Sequence, residues 1–333
     1  MSQPTRSFIF ALFLMLPGSA ALAQQDPMFT KYVFNSLTFN PAYAGSRDVL
    51  SLCAIHRQQW TGLDGAPVTQ SVTAHTPLSS KRAAAGLSIL NDKAGATGTT
   101  TLNASFAYRI PLGDDLKLSA GLQAGAGNWR GDWTKLTLEN PTDVAFQTNL
   151  NRWLPNFGAG LYLHSPRFYA GFGVPSILEY DLRETGAGGD AIFSKNYRHY
   201  YTTVGAAIPL GSESVVLRPS ALLKTTGFLS GFRSDAAFRN IGSPTELDLD
   251  LSVFFFETFW VGAAFRSALE LRQSSTDSAD FWAAWHLRNG LRIGAAYDLP
   301  LSPIRKTTAG SFELMLGYDF SVKVRNVATP RYF

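Results

Sequence analysis

The residues of this 333-residue chain best suited to metal ligation or covalent chemistry are five histidines and one cysteine, and their spacing supports neither. His56, His75, His164, His199 and His286 lie far apart, with no H-E-x-x-H pair or comparable run that would put two imidazoles on one helix face. Cys53 has no second thiol to pair with and reads as a small, strand-borne apolar group. No G-x-S-x-G elbow occurs. The run Gly186-Ala187-Gly188-Gly189-Asp190 lacks the lysine of a phosphate-binding loop and reads as a flexible connection. The expectation is a chain without catalytic, cofactor-binding or metal-binding residues. It would be an enzyme only if a distant Ser and His met, as in a membrane-embedded lipase or acyltransferase.

What chemistry remains is carried by charge, and the charges recur at alternate positions. Over 312–322, Phe312, Leu314, Leu316, Tyr318, Phe320 and Val322 alternate with Glu313, Met315, Gly317, Asp319 and Ser321. Over 116–126, Leu116, Leu118, Ala120, Leu122, Ala124 and Ala126 alternate with Lys117, Ser119, Gly121, Gln123 and Gly125. Helical spacing fits neither stretch; a strand with one apolar and one polar face fits both. Arg109, Arg218, Lys224, Asp248, Asp250, Arg266, Arg292, Asp298, Glu313 and Asp319 all fall on the polar side of such stretches. Paired, they would fill a narrow lumen; lining water, they would set ion selectivity.

The same reading predicts strands near 49–60, 67–78, 82–92, 99–110, 115–127, 153–164, 167–175, 200–209, 214–225, 246–256, 258–267, 279–287, 290–299 and 310–320. That is about fourteen antiparallel strands, within a range of about twelve to sixteen, and bacterial barrels favour even numbers. Leu112 to Asp115, Ser165 to Arg167 and Leu287 to Gly290 are tight turns, whereas 128–152, 176–199 and 226–245 are long. Short turns at one end and long loops at the other characterise outer-membrane barrels. Trp129, Trp133, Trp153 and Trp260 fall near strand ends, where an aromatic girdle would lie.

Compartment follows from the N-terminus. Arg6, the apolar run Phe8 to Leu16 and the small-x-small site Ala21-Leu22-Ala23 form an expected signal peptide over 1–23. Beyond it no apolar stretch approaches the roughly 18 residues of a spanning helix, so a membrane location requires a closed all-β barrel. Charged residues make up only 16% of the chain against roughly 25% in soluble domains, and aromatics reach 13%. A soluble β-sandwich would share these numbers. The net charge of +4 is too small to argue for nucleic acid. Residues 24–48 form a pre-barrel segment, rich in Asn, Pro and rings and lacking alternation, that reads as a plug on the barrel wall or a docking element. The barrel domain would span 49–333.

Three blocks resemble the PorP/SprF family of type IX secretion membrane proteins from Bacteroidetes. The first is Gln25-Asp26-Pro27-Met28-Phe29-Thr30 with Tyr32, Phe34-Asn35 and Asn40-Pro41-Ala42-Tyr43-Ala44-Gly45-Ser46. The second runs from Arg57-Gln58-Gln59-Trp60-Thr61-Gly62 to Pro67, with His75-Thr76-Pro77-Leu78 and Asn91-Asp92-Lys93-Ala94-Gly95. The third is Phe312 to Phe320 with Pro330-Arg331-Tyr332-Phe333. A longer stretch near 227–243 departs from the family's usual short link. The resemblance implies a non-enzymatic barrel in the cell outer membrane, reached by export to the periplasm and surrounded by outer-membrane lipid. Its partners would be periplasmic ring or peptidoglycan-linked subunits and secreted surface-protein cargo, such as adhesins with a type B C-terminal domain used in gliding motility. Candidate docking residues are Phe29, Tyr32, Asn35, Asn40, Pro41, Tyr43, Arg57 and Trp60. The terminal strand or the tail would carry the barrel-assembly signal. The competing expectation is a porin or substrate-specific transporter.

Overall fold

The computed structural model describes residues 29, 32–79, 81–135, 149–181, 185–186, 189–190, 195–212, 214–226, 245–269 and 275–320. The expected signal peptide, the run Gln25 to Met28, the long stretch 227–243 and the tail from Pro330 lie outside these residues.

Among the described residues, fourteen antiparallel strands close on themselves. They are β1 (Ser51–Gln58), β2 (Val68–Pro77), β3 (Ala83–Ala94), β4 (Thr97–Pro111), β5 (Lys117–Gly131), β6 (Leu150–His164), β7 (Phe168–Val174) and β8 (Tyr200–Ala206, prolonged by Ile208–Pro209). They continue with β9 (Val215–Thr225), β10 (Thr245–Phe255), β11 (Phe259–Leu269), β12 (Ser275–His286), β13 (Leu291–Pro300) and β14 (Ser311–Asp319). Each strand pairs with its sequence neighbours, and β1 pairs with β14, Ser51 opposite Asp319, so the barrel is sealed by its first and last strands. Closure leaves no edge whose N–H and C=O groups would lack partners in hydrocarbon.

Alternation sorts the side chains as a lipid-embedded barrel demands. On β14, Leu314 and Leu316 are 60% and 54% exposed, while Glu313 and Met315 between them are 2% and 4% exposed. Leu87 and Ile89 on β3, Leu102 and Phe106 on β4 and Leu249 and Leu251 on β10 repeat the outward apolar set. A soluble sandwich would bury those faces, so the exposed apolar band is the physical argument for lipid.

Short connections at 78–82, 112–116, 165–167, 210–214, 256–258 and 287–290 share one end, where the chain also enters β1 and leaves β14. The other end carries 59–67, the tight turn at 95–96, 132–149, 175–199, 226–244, 270–274 and 301–310. β5 and β6 reach further than their alternation suggests, to Gly131 and from Leu150, which shortens the intervening loop.

The tryptophan expectation requires correction. Trp153 does face outward, 68% exposed, but Trp129, Trp133 and Trp260 are buried inside. Parity explains it: Trp129 shares the inward phase of Gly121 and Gln123, and Trp260 that of Arg266. A tryptophan near a strand end joins a girdle only if its phase points to lipid.

Candidate functional site

Inside the barrel the chain threads its own N-terminal segment. Three 3-10 turns, Tyr32–Phe34, Ser36–Thr38 and Pro41–Tyr43, carry it through the lumen to the short-turn end. The local chemistry around Asn40-Pro41 is specific. Asn40 is extended, as a residue before proline prefers, and its Oδ1 accepts from the Ala42 amide at 3.0 Å while Pro41 supplies a preset first-turn angle. Asn40 Nδ2 donates to the Leu161 carbonyl of β6 at 3.0 Å, fixing the turn to the wall.

Glycines on three neighbouring strands make the space. A Cβ at Gly121 of β5 would collide with the backbone of Pro41 and Ala42. One at Gly160 of β6 would meet the Asn40 amide, and one at Gly173 of β7 the Phe39 carbonyl. Leu37 fits against Gly86 of β3, and Ala42 and Ala44 are fully buried. Gly45 has φ +72°, and a Cβ there would also strike that of Ala84. Its amide donates to Nδ1 of His75 at 3.0 Å, so that nitrogen is an acceptor and the proton of the neutral ring sits on Nε2.

The rings find partners on the wall. Phe34 meets Trp260 and Trp282 edge-on at 4.8 and 5.5 Å, and Phe39 stacks on Tyr201 at 5.2 Å. Tyr43 lies edge-on to Tyr162 and His75, both at 5.4 Å. Tyr32 Oη shares a 2.8 Å hydrogen bond with Ser220, and Asn35 Nδ2 donates to Ser71 Oγ at 2.9 Å. Aromatic pairs of this geometry contribute about 0.5–1.5 kcal/mol each beyond the area they bury. Phe29, Tyr32, Asn35, Asn40, Pro41 and Tyr43 are thus brought together in the lumen. Arg57 lies apart from them on the β1 wall, and Trp60 is exposed at the long-loop rim with φ +46°.

At the short-turn end the segment is clamped by charge. Arg47 reaches Asp319 with Nη2 at 2.8 Å and Nε at 3.1 Å, and Arg292 shares the same carboxylate at 3.2 Å. Burial disfavours the Arg47 charge, but Asp319 and Tyr43 together more than offset it, and the guanidinium pKa lies above its ordinary value. Asp48 pairs with Arg109 at 2.6 Å and with Lys117 at 3.7 Å.

The remaining inward charges meet across neighbouring strands. Arg266 donates to both oxygens of Asp248, at 2.8 and 3.0 Å, and lies 3.8 Å from Asp280. Arg57 contacts Asp298 at 2.6 Å and Glu313 at 3.5 Å, and Lys224 contacts Glu246 at 3.6 Å. Arg218 lies 3.7 Å over the Trp260 ring, and Asp250 accepts from Trp282 Nε1 at 2.9 Å. Every inward charge expected from alternation is buried except Asp319, which is half-buried. Arg57, Glu246 and Asp280 were not among the expected lumen charges. Arg57 shares the inward phase of Cys53 and Ile55, and Asp280 that of Trp282, so their parity could have revealed them.

Above the plug, at the long-loop end, a cavity of about 660 Å³ opens; Arg57, Asp92, Trp129, Glu246, Arg266 and Asp298 are among the residues lining it. Among the described residues no group of three or more His, Cys, Asp and Glu side chains is placed to hold a metal ion.

A family model described as type IX secretion system membrane protein PorP/SprF matches residues 21–318. No curated protein sequence matches the chain. Solved barrels share its shape. The CymD monoaromatic hydrocarbon channel superposes with TM-score 0.53 at 10% identity, covering 88% of this chain and 94% of that one. The P. putida toluene transporter TodX gives 0.50 at 10% identity, covering 88% and 95%. At such identity the likeness concerns the fold alone.

Proposed function

The chain belongs to the PorP/SprF family of type IX secretion system membrane proteins, and from that premise we propose that it acts by binding other proteins rather than by passing solutes through its lumen. The observation that supports this reading is the plug. Residues 32–48 occupy the lumen from the level of β7 to the short-turn end, with backbone packed against glycine and rings against rings. A wall shaped around its own chain is costly to open, because the inward charges and rings would lose their partners.

In this reading the barrel is a non-enzymatic outer-membrane component that engages periplasmic ring or peptidoglycan-linked subunits, exported surface-protein cargo of the adhesin type, or both. The N-terminal rings serve the plug. Partners then meet the short turns, the long loops or the lipid-facing wall.

Cross-linking followed by pull-down from native outer membranes tests the proposal. Retention of ring subunits or of a large surface protein, together with loss of that protein from the cell surface on deletion of the gene, is the expected result. Large steady conductance of the intact barrel in a planar bilayer, with no protein partner retained, would return the molecule to the transporter class.

A further inference from the structure

On β1 and β2 three hydrogen-bonding side chains, His56, Gln58 and Gln70, stand exposed on the outer face, where alternation elsewhere places apolar groups. Their depth follows from the distance to the short-turn end. His56 lies five residues beyond Ser51, where β1 begins, and Gln70 seven residues before Pro77, where β2 ends. A tilted strand climbs about 2.5 Å per residue, so these groups stand roughly 13 to 18 Å into an apolar band about 25 Å tall. The short turns themselves mark the lower edge of that band, since Leu112 and Phe256 within them are exposed. Around the polar island the wall is apolar: exposed Leu314 and Phe312 of β14 lie opposite His56 and Gln58, and exposed Val72 precedes Gln70 toward the short turn. Gln70 Nε2 donates to His56 Nδ1 at 3.4 Å. Among the described residues nothing engages the Gln58 amide, Gln70 Oε1 or His56 Nε2. Hydrocarbon supplies neither donors nor acceptors, so a bare carboxamide at this depth is costly.

We propose that a second copy of this chain covers the island, the two barrels meeting β1–β2 face to β1–β2 face about a two-fold axis along the membrane normal. Chemistry selects this occupant. A carboxamide carries both donors and an acceptor, so Gln58 and Gln70 are complementary to their own counterparts, and the imidazole adds one more hydrogen-bonding nitrogen. Depth selects it as well. A two-fold axis normal to the bilayer brings every residue to the height of its counterpart, so a copy presents the same amides at the same level. Shape permits close approach, because Ala54 and Ala74 on the same outer face leave hollows beside the side chains of Val72 and Leu314. Small residues around polar ones are what membrane interfaces use to bring backbones near and to hydrogen-bond across the contact.

The inference rests on the outer-membrane reading above, but its test needs no secretion partner. The full-length chain carrying Cys53→Ser with Gln58→Cys or Gln70→Cys is assembled in outer membranes and treated with copper phenanthroline or a short bis-maleimide. Leu249→Cys is the control, since Leu249 is exposed on β10 of the far wall, six residues from its short-turn end at Phe255. Lys93→Cys, at the exposed long-loop end of β3, reports full access to water. The heat-modifiable gel shift establishes a folded barrel for each variant. A covalent pair at twice the chain mass is expected at position 58 or 70 and not at 249, and a membrane-impermeant maleimide applied to intact cells is expected to label 93 but not 70. Folded barrels with no self-linkage at either 58 or 70 would overturn the proposal, pointing to lipid or a different protein as the cover. Linkage at 249 equal to that at 70 would overturn it as random collision, and labelling at 70 as fast as at 93 would overturn it by showing headgroups and water there. Capture of ring subunits or cargo, or its failure, leaves each of these results unchanged and bears only on the secretion reading.

Discussion

Along β5, β6 and β7 the inward positions that meet the plug include Gly121, Gly160, Gly171 and Gly173 beside Tyr162, whereas across the lumen, on β9 to β12, they include Ser220, Trp260, Arg266 and Trp282. Both walls obey the same alternation. On the glycine side the plug's backbone touches the wall directly, and the contact is specific through sterics. On the far side long side chains cross the gap, and specificity comes from ring geometry and ion pairs. Inward side-chain size thus sets the local width of the lumen, and the plug runs closest to the wall where that size is zero.

The comparison is broken most severely by filling the glycine side. Gly121→Leu places a side chain where Pro41 and Ala42 lie; the plug is expected to leave its seat, with a stability loss of about 1–3 kcal/mol from overpacking. Single-channel recording checks it: wild type should be silent and the variant conducting, and an equally silent variant would show that the plug is not what closes the lumen.

On the far side, Asp248→Ala removes the bidentate partner of Arg266 and leaves it the Asp280 carboxylate at 3.8 Å and the Phe29 carbonyl at 3.4 Å. The expected cost is about 3 kcal/mol, the low end for breaking a buried pair. Urea unfolding in lipid vesicles measures it, and an unchanged midpoint would mean that Asp280 and the Phe29 carbonyl suffice. The lipid face provides the control. Leu314→Arg should cost about 2–4 kcal/mol near mid-membrane while leaving channel behaviour silent, because Leu314 touches neither wall of the lumen. Asn40→Ala has the smallest expected effect, about 1 kcal/mol, through loss of the turn cap and of the bond to Leu161. Faster proteolysis near residue 40 without conductance would match that expectation, whereas full opening would mean the plug hangs on this one side chain.

The strand pattern was legible because alternation is local. Each of the fourteen expected strands overlaps an observed one, and the inward phase of Arg109, Asp248, Arg292 and Glu313 could be read from their apolar neighbours. The tryptophans were misread because position along a strand was weighed above phase: Trp260 stands at a strand end yet points at Phe34. Arg57 was grouped with Trp60 by closeness in sequence, but adjacent phases of β1 and its turn send one into the wall and the other to the rim.

By itself the sequence determined an all-β barrel, because a period of two is written residue by residue and hydrocarbon tolerates no open edge. It also determined the inward phase of charges such as Arg109, Asp248 and Glu313, though Arg57, Glu246 and Asp280 went unread. Only the tertiary structure decided that Arg57 meets Asp298 and Glu313, that Arg47 meets Asp319, and that the glycines of β5 to β7 receive Asn40-Pro41-Ala42. Those pairings depend on strand register and on closure of β1 against β14, which bring residues hundreds of positions apart to one level of the lumen.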